Sequence, residues 1–252
     1  MSTGKGRIVE HASGDVTVVR HGRVVVVTID RPSKRNALTQ AMYERLADAL
    51  VQADADPDVG ALVLTGVDDA FTAGNDLADF MAGSSLEQTH RFLEAISTVH
   101  VPLVAAVNGL AIGVGLTLLL HCDLVFVEPS AQLSAPFVAL GLVPEAASSL
   151  LLPRVIGERR ASEVILTGRR LSGAEAAEWG LANATASPVL PAALEAAERI
   201  AAQPHQAARA SKALLRSTEQ TVPGRMAEES AAFAAALKGD EFAAVMAARQ
   251  AR

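Results

Sequence analysis

Residues 101–120 read VPLVAAVNGLAIGVGLTLLL, a run of 20 without one charged side chain. Such a length is enough for a membrane-spanning helix. Pro102, Asn108, Gly109, Gly113 and Gly115 interrupt it, however, and His121 and Asp123 follow at once. These breaks predict a buried strand, a glycine loop and a buried helix instead. A stretch of that kind needs a large core around it. With 252 residues, 50% of them hydrophobic, the chain can supply one.

The flanking sequence alternates in the same way. VTVVR and RVVVVTID, at 16–20 and 23–30, are β-branched runs joined by His21-Gly22 and predict a hairpin. Leu38, Met42, Leu46 and Leu50 recur every fourth residue and predict a helix. GALVLTG reads as a buried strand, and residues 67–80 as a loop rich in turn formers. A helix is expected near 85–99, strands at 103–107 and 123–128, and a helix near 115–121. From about 145 the chain reads as nearly all helical, with helices at 191–202, 205–217, 224–237 and 241–250. In LSGAEAAEWG, Ser172 and Glu175 have capping-box spacing and Gly180 is a stop. The fold class expected is α/β, with a flexible tail at 1–15, a core at 16–190 and a C-terminal helical region at 191–252. The alanine-rich faces of the last helices need a partner, either the core or another subunit. No repeat is visible in the sequence.

A net charge of −6 argues against a broad nucleic-acid surface. The single cysteine, Cys122, cannot form an internal disulfide and suits a reducing compartment. The first residues lack an apolar secretory stretch, and the chain does not end in Ser-Lys-Leu, so a cytoplasmic protein is expected.

Most common reactive constellations are missing. The sequence has no phosphate loop, no nucleophile elbow and no cysteine–histidine set with metal spacing. Two glycine-bearing segments remain, FTAGNDL at 71–77 and NGLAIGVGLTLLL at 108–120. Unpaired N–H groups at a helix start carry partial positive charge. One donor from each segment, converging on a carbonyl oxygen, would make an oxyanion hole. Alternatively, both are tight turns that close a sheet.

These segments, together with RPSKRNALT at 31–39, GLVPEAASSLLLPRVIG at 141–157 and LTGRRLSGAEAAEWGL at 166–181, resemble the crotonase superfamily, the enoyl-CoA hydratase/isomerase family. The resemblance runs over about residues 16–215, with five motifs in the family's order. It implies a spiral of ββα turns with a helical C-terminal part that mediates assembly into trimers or dimers of trimers. It also implies an acyl-CoA thioester as ligand, a place in fatty acid metabolism, and no cofactor beyond the coenzyme A of the substrate. The oxyanion donors transfer to the N–H groups of Asn75 and Val114. Arg31, Arg35, Ala37 and Leu38 fall where the family meets the CoA moiety. Ala73, Asn75, Asp76, Leu77, Ala78, Val114 and Phe137 fall among its substrate-binding positions. Asp76 reads as a loop-fixing acceptor rather than a base.

Hydratases of this family carry two glutamates, at positions that here are Thr117 and Phe137. Adding water across a double bond needs one group to take a proton and one to deliver it, so ordinary hydratase activity is not expected. VPEAASS instead resembles the Δ3,Δ2-enoyl-CoA isomerase branch, in which a single glutamate, here Glu145, works as acid and base. Leu140, Leu142, Val143 and Phe137 suggest an apolar cavity around it. Burial raises a carboxyl pKa and a helix N-terminus lowers it, and the sequence leaves that balance open. Glu145 could also serve only to complement a helix dipole. Two alternatives stand beside the isomerase: a non-catalytic acyl-CoA binder, and another crotonase reaction on an unusual CoA thioester. The only tyrosine, Tyr43, falls in an early helix and speaks against reactions that use a tyrosine.

Overall fold

The computed structural model describes residues 15–81, 86–218 and 221–250. The tail expected over 1–15 lies outside them, Asp15 excepted. β1 (Val16–His21) and β2 (Val24–Ile29) form the predicted antiparallel hairpin. α1 (Gln40–Ala55) follows, and its N-cap Thr39 accepts a hydrogen bond from the Met42 N–H at 3.3 Å. The chain then alternates through β3 (Ala61–Gly66), β4 (Ala70–Thr72), α2 (Leu77–Met81) and α3 (Glu87–Thr98). Next come β5 (Leu103–Val107), β6 (Leu110–Ile112) and α4 (Val114–Thr117), which continues as a 3-10 turn over Leu118–His121. β7 (Leu124–Val127) and β8 (Gln132–Ser134) complete the series.

After β8 the chain is mainly helical. α5 (Ser148–Ile156), α6 (Glu158–Thr167), β9 (Leu171–Ser172), α7 (Gly173–Glu178) and β10 (Ala184–Thr185) lead to α8 (Val189–Ala201). α9 (His205–Arg216), α10 (Val222–Leu237) and α11 (Asp240–Gln250) close it. The Ser172–Glu175 capping box is formed at the head of α7, with both reciprocal bonds present.

The sheets show a repeat that the sequence hides. One has the order β1-β2-β3-β5-β7-β10, the other β4-β6-β8-β9. Each pair β3–β4, β5–β6 and β7–β8 gives a longer strand to the first sheet and a three-residue partner to the second. Pairing from β2 through β7 is parallel, as it is from β4 through β8. The turns therefore stack as a spiral of ββα units, the architecture that the resemblance implies. The short strands had read as loop because three residues are too few to show a period.

The central strands are apolar on both faces, as covered parallel strands are. Val25, Val27, Leu62, Leu64, Leu103 and Ala105 face the main core with α1 and α3. Val24, Val26, Ala61, Val63, Val104 and Ala106 face the opposite way, onto Val189, Ala193, Ala197 and Ala201 of α8. Helix α8 thus roofs the sheet, although most of its sequence falls within the 191–252 region. The uncharged 101–120 run is accounted for by β5, β6 and α4, and among the described residues no helix is long and apolar enough to cross a membrane.

Helix α9 is fastened to the core by its basic residues. Lys212, only 6% exposed, donates to the Val101 carbonyl at 2.8 Å and pairs with Asp123 at 2.7 Å. Arg216 pairs with the other Asp123 oxygen at 2.9 Å and also donates to the His121 carbonyl. Asp123 in turn accepts from the Leu103 N–H at the start of β5, at 2.7 Å. Cys122 lies between these groups, and burial pushes its thiol pKa up to about 12, so it is an inert small side chain.

Candidate active site

The segment that carries Asn75 is built from residues 31–43. Asn36, fully buried and in left-handed conformation at φ 59°, donates to the carbonyls of Val67 and Ala70 at 3.0 and 2.6 Å. Thr72 donates to the Asn36 carbonyl at 2.7 Å. Leu38 makes a parallel bridge to Asn75, donating to the Gly74 carbonyl and accepting from the Asp76 N–H, both at 2.8 Å. In a parallel bridge the central residue turns its own N–H away from the bridging strand. The Asn75 N–H accordingly finds no acceptor among the described residues.

The Val114 N–H is also unpaired among the described residues. Val114 opens α4 behind Gly113, whose φ of 58° suits glycine and whose N–H donates to the Ser134 carbonyl at 2.8 Å. The two loops lie against one another. A Cβ on Gly74 would sit 2.9 Å from the Ile112 carbonyl oxygen, and one on Gly115 would sit 2.8 Å from Thr72 Cγ2. Glycine at 74 and 115 is what lets the two segments that carry these amides pack so closely.

Glu145 meets the second of these segments at Thr117. Its Oε1 accepts a hydrogen bond from Thr117 Oγ1 at 2.7 Å, one turn along from Val114. Burial raises its pKa, and the Thr117 hydrogen bond only partly offsets that. The question of burial against helix end is thereby answered in favour of burial. α5 has no side-chain cap, and Ser148 donates to the Glu145 carbonyl at 2.6 Å rather than to its carboxylate. Oε2 has no partner among the described residues.

Two left-handed alanines follow, Ala146 at φ 53° and Ala147 at φ 54°. His121 Nε2 sits 2.9 Å from the Ala146 carbonyl. A carbonyl only accepts, so Nε2 carries the proton; burial holds the imidazole pKa below its usual value. An L-residue in this conformation costs about 1 kcal/mol, which glycine avoids. Ala146→Gly should therefore raise the unfolding free energy by about 1 kcal/mol, read from urea or thermal melts. A lower midpoint would show that the methyl packs usefully.

The other expected residues fall into distinct settings. Asp76 accepts from the Ala78 and Asp79 N–H groups at 3.0 and 3.2 Å, at the start of α2. Its second oxygen pairs with Arg31 at 2.7 Å, and that pairing leads the effects that hold its pKa below the usual carboxylate range. Arg31 also donates to the Ala37 carbonyl at 2.9 Å, so its guanidinium braces this loop rather than projecting freely. Arg35 is exposed and has no side-chain partner among the described residues. The Leu38 side chain is core, and only its backbone meets the site. Leu77 and Ala78 are exposed, Ala73 is half-buried and Phe137 is buried. Leu140, Leu142 and Val143 do not wall a closed cavity within the chain. The turn at Val138–Leu140 and left-handed Gly141 carry them to the surface, Val143 to 79% exposure.

Tyr43 is absent from the expected site residues, yet the structure brings it to one of them. Its hydroxyl donates to Asn75 Oδ1. The ring is fully buried and tilted at 48° against Phe92, with centroids 5.4 Å apart. The available signal was a polar-tipped ring beside an apolar helix stripe, which needs a partner when buried.

Comparisons with known proteins bear on the family and the fold. The sequence model described as Enoyl-CoA hydratase/isomerase matches residues 20–249. The chain is 37% identical over 244 residues to a protein of Mycobacterium tuberculosis named probable enoyl-CoA hydratase EchA14, covering 91% of this chain and 94% of that one. It is 37% identical over 185 residues to 4-chlorobenzoyl coenzyme A dehalogenase-2 of an Arthrobacter species, covering 69% of this chain and 64% of that one. Among solved structures, an enoyl-CoA hydratase/isomerase of Pseudoalteromonas atlantica superposes with a TM-score of 0.79 at 42% identity, covering 95% and 98% of the two chains. OdaA of Pseudomonas aeruginosa gives 0.79 at 40% identity, covering 95% and 100%. The ββα spiral, the two glycine-bordered loops and these matches together make the chain a member of the enoyl-CoA hydratase/isomerase family, within the crotonase superfamily.

Proposed function

We propose that the protein is an acyl-CoA enzyme that shifts a double bond with a single carboxylate, a Δ3,Δ2-enoyl-CoA isomerase. The observation that carries this reading is the setting of Glu145. It is a half-buried carboxylate with a raised pKa, held by Thr117 at a position where the family's hydratases have a second acid. Phe137 occupies the other such position. Asp76 and Asp79 are engaged elsewhere, the first with Arg31 and the second with the Gln40 N–H at 2.8 Å.

The chemistry follows from the geometry. The thioester oxygen is taken up by the N–H groups of Asn75 and Val114. Glu145 removes a proton from C2, and the electrons move into the dienolate, whose negative charge rests on that oxygen. The Glu145 carboxyl then returns the proton to C4. No water is added, and no second acid is required. Thr117 holds Oε1, which leaves Oε2 for the carbon-bound proton. Exposed Arg35 is suited to the phosphates of coenzyme A. Leu215, Val222, Met226 and Phe233, each more than half exposed, support assembly of the C-terminal helices into a homotrimer or dimer of trimers.

The test is turnover of a 3-enoyl-CoA in D2O. Conjugated 2-enoyl-CoA should form, with deuterium entering at C2 and C4 to the extent that the proton on Glu145 exchanges with solvent before it is returned. The rate should rise with pH through a carboxyl pKa above the usual glutamate range, because Glu145 must be ionised to accept the proton and burial raises its pKa. Binding with neither conjugated product nor exchange at C2 would mark an acyl-CoA binder. A 3-hydroxyacyl product would mark a hydratase.

A further inference from the structure

The peptide that carries the Asn75 N–H is held at its other end by one hydrogen bond, from the Leu38 N–H to the Gly74 carbonyl. Gly74 lies at φ 92°, a conformation with little steric restraint of its own for glycine. A donor that stabilises a developing oxyanion must already point the right way before the charge appears. Some further contact therefore has to fix Asn75 itself. Leu38 and Arg31 hold its neighbours, Gly74 and Asp76. On Asn75, the contact is the hydroxyl of Tyr43.

Tyr43 is well placed for this. Its ring is clamped between α1 and α3 by Phe92, so the hydroxyl has a fixed origin. Among the described residues its only hydrogen-bond partner is the Asn75 carboxamide. Burial, with the Glu145 carboxylate adding to it, pushes the phenol pKa well above its usual value, so the group stays a neutral donor.

We propose that Tyr43 is a positioning residue: by hydrogen bonding to the Asn75 side chain it aligns the Asn75 N–H on the thioester oxygen. This rests on the acyl-CoA reading above. In this role Tyr43 acts through Asn75. Its removal should therefore weaken polarisation of the bound carbonyl and slow turnover, while leaving the contacts that bind coenzyme A in place.

The experiment reads the carbonyl directly. The thioester C=O stretch of a bound 2-enoyl-CoA is recorded by infrared difference spectroscopy in wild type, Tyr43→Phe, Asn75→Ala and Glu145→Gln. Wild type and Glu145→Gln should show the shift to lower frequency that two amides impose. Tyr43→Phe and Asn75→Ala should lose much of it. Turnover of both should fall roughly 10- to 100-fold, less than the loss of a whole donor, with KM nearly unchanged. The double variant should be no worse than Asn75→Ala alone, because one interaction is removed in each case. Should Tyr43→Phe not fold, Asn75→Ala carries the same test with the ring still in the core. A full shift retained in Tyr43→Phe or Asn75→Ala overturns the positioning role and leaves the acyl-CoA reading intact. No shift in wild type overturns both.

Discussion

Glu145→Gln should lower 3-enoyl-CoA isomerisation by roughly 10²- to 10⁴-fold, the range expected for loss of a general acid–base. The substitution suits the site. Glutamine keeps an oxygen acceptor for Thr117 Oγ1, now 2.7 Å from the carboxylate, so the side chain can stay where it is. What it loses is basicity. Deuterium exchange at C2 should fall in parallel with turnover, since the same atom takes the proton in both measurements. Thioester affinity should hold, because the two amides and the CoA contacts are untouched. An unchanged rate would remove Glu145 from the mechanism and leave the site with no candidate base, since Asp76 is tied to Arg31.

Asp123→Ala should produce the largest loss of stability, at about 3 kcal/mol. Breaking a buried ion pair by removing one partner costs roughly 3 to 5 kcal/mol, because it strands the remaining charge. The low end applies here, since the Asp123 side chain is 23% exposed. Lys212 would keep the Val101 carbonyl but lose its counter-charge, and Arg216 would lose a bond as well. The Leu103 N–H would lose its acceptor at the start of β5. For a chain of this size the melting temperature should drop by roughly 6 to 12 °C. A drop of under a degree or two would mean that water takes the place of the carboxylate.

Much of the architecture can be read from single segments. The hairpin around His21-Gly22, the Ser172–Glu175 cap and the four C-terminal helices each rest on residues adjacent in the chain. The interruptions in 101–120 likewise separate β5, β6 and α4. What escapes local reading is set by contacts between distant residues. The second sheet is made of strands of two or three residues, and only their mutual pairing defines them. Tyr43 meets Asn75 across 32 positions, and Thr117 meets Glu145 across 28. The pattern around Leu140 to Val143 is apolar, yet its exposure depends on a turn and a left-handed glycine that hydrophobicity alone does not register.

The Thr117–Glu145 contact limits how this scaffold can change its chemistry. A carboxylate in place of the Thr117 hydroxyl would meet Glu145 almost head to head, and two such groups in contact do not both ionise. One would keep a proton and lose its usefulness as a base. On the proposed reading, a hydratase acid at 117 and the Glu145 base would therefore compete for one small space. On that reading, exchanging one chemistry for the other would need concerted rebuilding at 117, 137 and 145, while the two free amides could stay as they are.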